Sequence, residues 1–258
     1  MIRTHNDGRV RTVTLDRPDA LNAFNEALYD AATEELLAAA ADPGVAVLVI
    51  TGEGRAFSAG TDLLEMAQRG SDPGFVAGVH GFPGFVDALI DFPKPLLCAV
   101  NGLALGIGAT MLALSDLVFM SADARVRCPF SNLGVVPEAA SSFTFPLLLG
   151  RQNAMWALLS SEWLGAEECE RMGLAFRVCS PELLMTTTLH HAQVLASKPI
   201  SSLVESKRIV VEPIRRSIAE ARSREDGGFA KLLGGPANQE ALRAFAERRD
   251  PDFASIGD

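Results

Sequence analysis

A chain of 258 residues with 48% hydrophobic and 21% charged side chains is long enough to bury one large α/β core. Its net charge of −9 and isoelectric point near 5.0 argue against a nucleic-acid coat or an anionic-membrane binder, because such surfaces need clustered Lys and Arg. Cys98, Cys128, Cys169 and Cys179 are dispersed, with no C-x-x-C pair and no histidines at ligand spacing, so they read as reduced core thiols and no metal is expected. The opening MIRTHNDGRV carries no apolar stretch of the kind a secretory leader needs, and the expected compartment is the cytoplasm.

In chain order, RVRTVTLD (9–16) alternates Val10, Val13 and Leu15 with polar residues, as a half-buried strand does. NEALYDAATEELLAAAAD (25–42) has strong helix formers with apolar residues at helical spacing, and Pro43-Gly44 ends it. VAVLVITG (45–52) is a continuous β-branched run, the mark of a strand buried on both faces. The glycines and prolines of 70–85 predict an irregular excursion.

Residues 96–115 hold no charge over a length that could span a bilayer, but Asn101, Gly102, Gly106 and Gly108 divide the window into a strand, a turn and a helix. DLVFMS and ARVRC follow as strands. From 139 onward the pattern is helical except for AFRVCS (175–180), with helices expected over roughly 151–160, 166–173, 181–197, 201–211, 213–233 and 236–249. The expectation is an α/β core with a C-terminal helical subdomain.

Two small-residue turns each follow a buried strand: GEGRAFSAGTDL (52–63) and NGLALGIGAT (101–110). The second is a poor dinucleotide fingerprint, since the third glycine of G-x-G-x-x-G would fall at Met111. Free N–H groups at two such turns can instead face one point and hold a developing oxyanion. A lone carboxylate, Glu138, lies in the otherwise apolar NLGVVPEAASSF (132–143). By itself Pro-Glu near a helix start also suits a cap, or a pair with Arg151.

RPDALNAF (17–24), GRAFSAGTDL, DFPKPLLCAVNGLALGIGA and EALRAFAERRDPDF occur in one order over nearly the whole chain. Together they resemble the crotonase superfamily of enoyl-CoA hydratases and isomerases. The resemblance implies a spiral of ββα units over 1–195 and a helical oligomerisation region over 196–258, assembled as a homotrimer or a dimer of trimers. It implies no cofactor beyond the coenzyme A thioester that is the substrate.

It also implies an oxyanion hole from the backbone N–H groups of Ala59 and Ile107. Substrate contacts are implied at Ala20, Leu21, Ala23, Arg55, Thr61, Asp62, Leu63, Gly106, Phe130, Leu133 and Pro137, with Lys231 from a neighbouring subunit. Read from its residues alone, Asp62 is an N-cap. Arg17 and Arg55 are the cations of the first half that suit the phosphates of coenzyme A.

Hydratases of this superfamily use two glutamates, and here those positions are Thr110 and Phe130. The segment PFSNLGVVPEAASSFTFP (129–146), with its glutamate just after LG-x-x-P, is similar to that of the peroxisomal type of Δ3,Δ2-enoyl-CoA isomerase. One carboxylate suffices to move a proton from the α to the γ carbon, and that is the expected reaction. The alternatives are a hydratase or another crotonase-type reaction, and a non-catalytic acyl-CoA-binding protein. His190 and His191 are expected to be solvated.

Overall fold

The computed structural model describes residues 1–72 and 74–256. A first strand, β1 (Ile2–Asp7), pairs antiparallel with β2 (Val10–Leu15) as an exposed edge that the local pattern did not announce. Helix α1 (Glu26–Ala41) starts where the Asn25 side chain accepts from the Leu28 N–H at 3.0 Å, and it buries Leu28, Tyr29, Ala32, Leu36 and Ala39 along one stripe.

Three strand pairs follow, each closed by helix: β3 (Val47–Gly52) and β4 (Ala56–Ser58) before α2 (Leu63–Ser71) and α3 (Gly81–Asp91); β5 (Leu96–Val100) and β6 (Leu103–Leu105) before α4 (Ile107–Thr110); β7 (Leu117–Ser121) and β8 (Arg125–Arg127) before α5 (Ser141–Leu149) and α6 (Arg151–Leu159). The first strand of each pair joins a six-stranded sheet of order β1-β2-β3-β5-β7-β10, and the second joins a four-stranded sheet of order β4-β6-β8-β9. Repeating ββα units that feed two sheets make the spiral. It closes with β9 (Leu164–Gly165), α7 (Ala166–Met172), β10 (Arg177–Cys179) and α8 (Leu184–Ala196).

The parallel strands β3, β5 and β7 are buried on both faces, as their unbroken apolar runs require. Leu48, Ile50, Leu96, Cys98, Val118 and Met120 point into the main core with α1 and α3, while Val47, Val49, Leu97, Ala99 and Phe119 point to the opposite face, under Leu184, Ala192 and Ala196 of α8. The apolar window 96–115 thus becomes β5, β6 and α4, and no helix among the described residues is long and apolar enough to cross a membrane.

Three expectations are corrected. The excursion at 70–85 becomes helical from Gly81, because the Asp30 carboxylate of α1 accepts the N–H groups of Val79, His80 and Gly81 at 2.8–3.0 Å and so supplies the missing cap. The two helices expected around Pro213 are one, α9 (Ile200–Leu232). Proline costs it a single hydrogen bond, on a stretch where Ile209 and Val210 are exposed and water can satisfy the freed carbonyl. His191 packs against Phe119 and Phe176 instead of being solvated. The last helix, α10 (Pro236–Glu247), returns to the core: Asn238 donates to the Leu133 carbonyl at 2.8 Å, and Gly134 lies so close to Ala237 that a Cβ there would sit 2.7 Å from its backbone.

Candidate active site

The two glycine turns touch. Gly60 (φ +87°) and Gly106 (φ +50°) both take positive φ angles, and a Cβ on Gly60 would lie 2.8 Å from the Leu105 carbonyl oxygen. A Cβ on Gly108 would lie 2.7 Å from the Ser58 carbonyl, so α4 sits directly on the end of β4. Only glycine allows this approach, and it brings the residues following each turn to one place.

The approach also decides which amides are free. The 20–24 loop runs beside 59–62 like a short strand: Ala59 donates to the Leu21 carbonyl at 2.9 Å, Phe24 to Gly60 at 2.7 Å, and Asp62 to Phe24 at 2.8 Å. Ala59 is therefore corrected as an oxyanion donor, because its N–H is already used. Thr61, two residues on, lies between two paired positions, and no backbone hydrogen bond of the described residues uses its N–H or that of Ile107. The Ile107 side chain is buried in the core, 1% exposed, which leaves its amide at the first position of α4.

Buried Asn22 staples this frame. Its amide donates to the carbonyls of Glu53 and Ala56 at 2.9 and 2.8 Å, and its oxygen accepts from the Arg17 N–H. Asp62 accepts from Leu64 and Glu65 as the N-cap of α2, and pairs with Arg17 at 2.8 Å, which commits that guanidinium to the fold. Tyr29 reaches from α1 to within 2.8 Å of the Thr61 hydroxyl, and burial pushes its phenol well up, so it stays protonated.

Glu138 comes to the same place from the other side. Its Oε1 accepts a 2.6 Å hydrogen bond from the Thr110 hydroxyl, one turn after Ile107 on α4. Its Oε2 is shielded from solvent and has no partner among the described residues. Neither Arg151 nor a helix cap takes this carboxylate. Burial is the main reason its carboxyl is pushed up to about 8; Glu225 adds to the rise, while the Thr110 hydroxyl and Arg222 oppose it. The Glu138 charge adds to the upward push on the Tyr29 phenol, whose hydroxyl meets Thr61, while Thr110 joins the carboxylate directly to α4.

Ala139 (φ +56°) and Ala140 (φ +60°) make the turn that brings Glu138 inward, an uncommon geometry for residues with a Cβ. Glu225 of α9 holds that turn from behind, accepting from the N–H groups of Ala140 and Ser142 at 2.7 and 2.8 Å. Thr110, Tyr29 and Glu225 are partners of the site that the sequence reading did not anticipate; they lie 28, 109 and 87 positions from Glu138.

Of the other expected contacts, Ala20 and Leu21 form the turn before Asn22, and the Ala23 carbonyl accepts from Arg17. Leu63 opens α2, Gly106 precedes α4, Phe130 is buried against the main core, and Leu133 and Pro137 are half-buried beside the Glu138 loop. Arg55 is exposed at the β3–β4 turn, and Lys231 is exposed in the last turn of α9.

Residues 5–256 match the family model described as enoyl-CoA hydratase/isomerase. The chain is 32% identical to the 1,2-epoxyphenylacetyl-CoA isomerase of Escherichia coli over 98% of its own length and 97% of that protein. It is 35% identical to enoyl-CoA delta isomerase 2 of Rattus norvegicus over 79% of this chain and 52% of that one. The crystal structure of enoyl-CoA hydratase EchA8_6 from Mycobacterium marinum superimposes with a TM-score of 0.80 and 60% identity, covering 82% of this chain and 99% of that chain. With this frame and these relatives, the chain belongs to the enoyl-CoA hydratase/isomerase family and is an enzyme of the crotonase superfamily.

Proposed function

We propose that the enzyme is a Δ3,Δ2-enoyl-CoA isomerase that works with a single carboxylate. The observation that carries this reading is Glu138 itself: one oxygen held by Thr110, the other buried and without a partner among the described residues. The next carboxylate, Glu225, has both oxygens occupied by backbone N–H groups. Hydration needs a base for water and a proton donor together, whereas shifting a double bond needs one group that takes a proton and gives it back.

In this mechanism Glu138 removes a proton from the carbon between the thioester and the 3,4 double bond. The electrons delocalise onto the thioester oxygen as a dienolate, held by the N–H groups of Thr61 and Ile107, and the proton returns from Glu138 to the γ carbon. The product is the trans-2-enoyl thioester. A carboxyl near 8 is about one part in ten ionised at pH 7, and is a stronger base for it.

A second reading, hydratase, is favoured by the name of the 60% identical Mycobacterium marinum relative, and is opposed by Thr110 and Phe130 where two acids are needed. Comparing initial rates on a trans-3-enoyl-CoA and a trans-2-enoyl-CoA separates the two. The isomerase reading expects the first to be converted and the second to be left largely unhydrated; faster hydration of the second overturns it.

The same reading places the coenzyme A phosphates near exposed Arg55 and near Lys231 contributed by a neighbouring subunit. A cytoplasmic location is proposed from the dispersed thiols, and a homotrimer or a dimer of trimers from the family resemblance. Leu147, Leu148, Met155, Trp156 and Leu159 are exposed together on α5 and α6, beside an open groove of about 380 Å³, an apolar surface suited to burial against another copy. The region from 196 onward is proposed to serve that assembly. Light scattering of the purified protein tests it, and a monomer contradicts it.

A further inference from the structure

Helix α9 carries a row of contacts along one side. Arg215 pairs with Asp91 and Arg222 with Asp87, both on α3; Glu225 takes the N–H groups of Ala140 and Ser142; and Gly228 packs on Val136, where a Cβ would lie 3.1 Å from the valine side chain. Ile218 and Ala221 of the same helix bury Ala140 between them. Four of these residues, Ile218, Ala221, Glu225 and Gly228, meet the segment 136–142 that contains Glu138, and the two ion pairs tie the same helix to α3.

The turn that aims Glu138 is one the chain does not adopt readily. Two successive alanines sit in the left-handed region, where only glycine is at ease. No side chain of α5 caps its own start. The carboxylate of Glu225, only 6% exposed, replaces the missing cap: one oxygen accepts from Ala140 at the N-cap and the other from Ser142 in the first turn. Burial pushes the Glu225 carboxyl up, the Ser142 and Ala140 hydrogen bonds oppose that rise, and those backbone donors face it only while Ala139 and Ala140 keep their geometry.

We propose that Glu225 is a positioning residue for the isomerisation: by clamping the Ala139–Ala140 turn onto α9, it sets the direction of the Glu138 carboxylate without touching substrate. Helix α9 is thereby part of the active site of its own chain. This inference rests on the reading of Glu138 as the base.

The test is steady-state turnover of a trans-3-enoyl-CoA by wild type, Glu138→Gln, Glu225→Gln, Glu225→Asp and the double variant Glu225→Gln/Ala140→Gly. Glutamine can accept one of the two N–H groups and turns a donor toward the other. Misplacing the base by about 1 Å is expected to cost on the order of 100-fold in kcat, with KM little changed because the thioester site is intact. Glycine at 140 adopts the turn without a Cβ penalty, so the double variant recovers much of that loss, and Asp, which keeps the two acceptor oxygens on a shorter stem, falls between wild type and Gln.

If Glu225→Gln is recovered unfolded by circular dichroism, the double variant and Glu225→Asp carry the comparison. Wild-type kcat in Glu225→Gln, a loss confined to KM, or a double variant no faster than the single one overturns the inference. Glu138→Gln inactive with Glu225→Gln unaffected discards only the role of Glu225; Glu138→Gln at the wild-type rate discards the base.

Discussion

Replacing Glu138 by glutamine should stabilise the protein, and by an amount that grows with pH. The Glu138 carboxyl is pushed up from 4.5 to about 8, chiefly by burial. Its folded value lies above its unfolded one, so the folded state holds a proton that the unfolded state releases. The stability it allows is full below about 4.5 and is lost as pH rises through 8. At about 1.4 kcal/mol per pH unit, the penalty is about 1 kcal/mol at pH 5, about 3 kcal/mol at pH 7 and about 5 kcal/mol by pH 9.

Glutamine has nearly the same shape, can still accept from Thr110, and carries no charge at any of these values. The melting temperature of Glu138→Gln should therefore stay close to wild type at pH 5 and exceed it by roughly 6–12 °C at pH 7, with a wider gap at pH 9. Differential scanning fluorimetry across this range is sufficient. Parallel curves for the two proteins from pH 5 to 9 would refute the argument, because they would mean that Glu138 ionises in folded and unfolded protein alike.

Isomerisation should accelerate as pH rises through about 8, where Glu138 becomes ionised; in Thr110→Val the loss of the hydroxyl that favours the carboxylate moves this limb to higher pH, read from kcat against pH. Ile107→Pro removes one N–H at a first helical position that tolerates proline, and kcat should fall about 100- to 1,000-fold, with a melting curve to account for the lost core side chain. Asn22→Ala removes the donor to the Glu53 carbonyl and one of the two donors to the Ala56 carbonyl, the other being Asn101, and should cost about 1–3 kcal/mol, measured by urea unfolding.

The frame was legible because the residues that build it speak locally. Unbroken apolar runs at 45–52 and 95–101 read as strands buried on both faces, and the small-residue turns that follow them read as places where free N–H groups could face one point. Glu138 stood out because a carboxylate among valines and alanines has no ordinary surface reason. What failed was what depends on pairing across long separations.

Ala59 has the right neighbours for an oxyanion donor, but its N–H is consumed by Leu21, 38 positions earlier, and only the register of that pairing reveals that Thr61 is free instead. Thr110 looked like a missing acid when read alone; in the folded chain its hydroxyl steadies the acid that is present. Glu225 was read only as part of a helix, since the left-handed alanines it holds have no sequence signature.

The claim beneath the whole account is that one buried carboxylate moves the proton. The most direct measurement is conversion of a trans-3-enoyl-CoA to its trans-2 isomer by wild type and by Glu138→Gln under identical conditions. The account predicts that the variant, folded and at least as heat-resistant as wild type, turns over about 100- to 10,000-fold more slowly. Equal rates for the two proteins would contradict it.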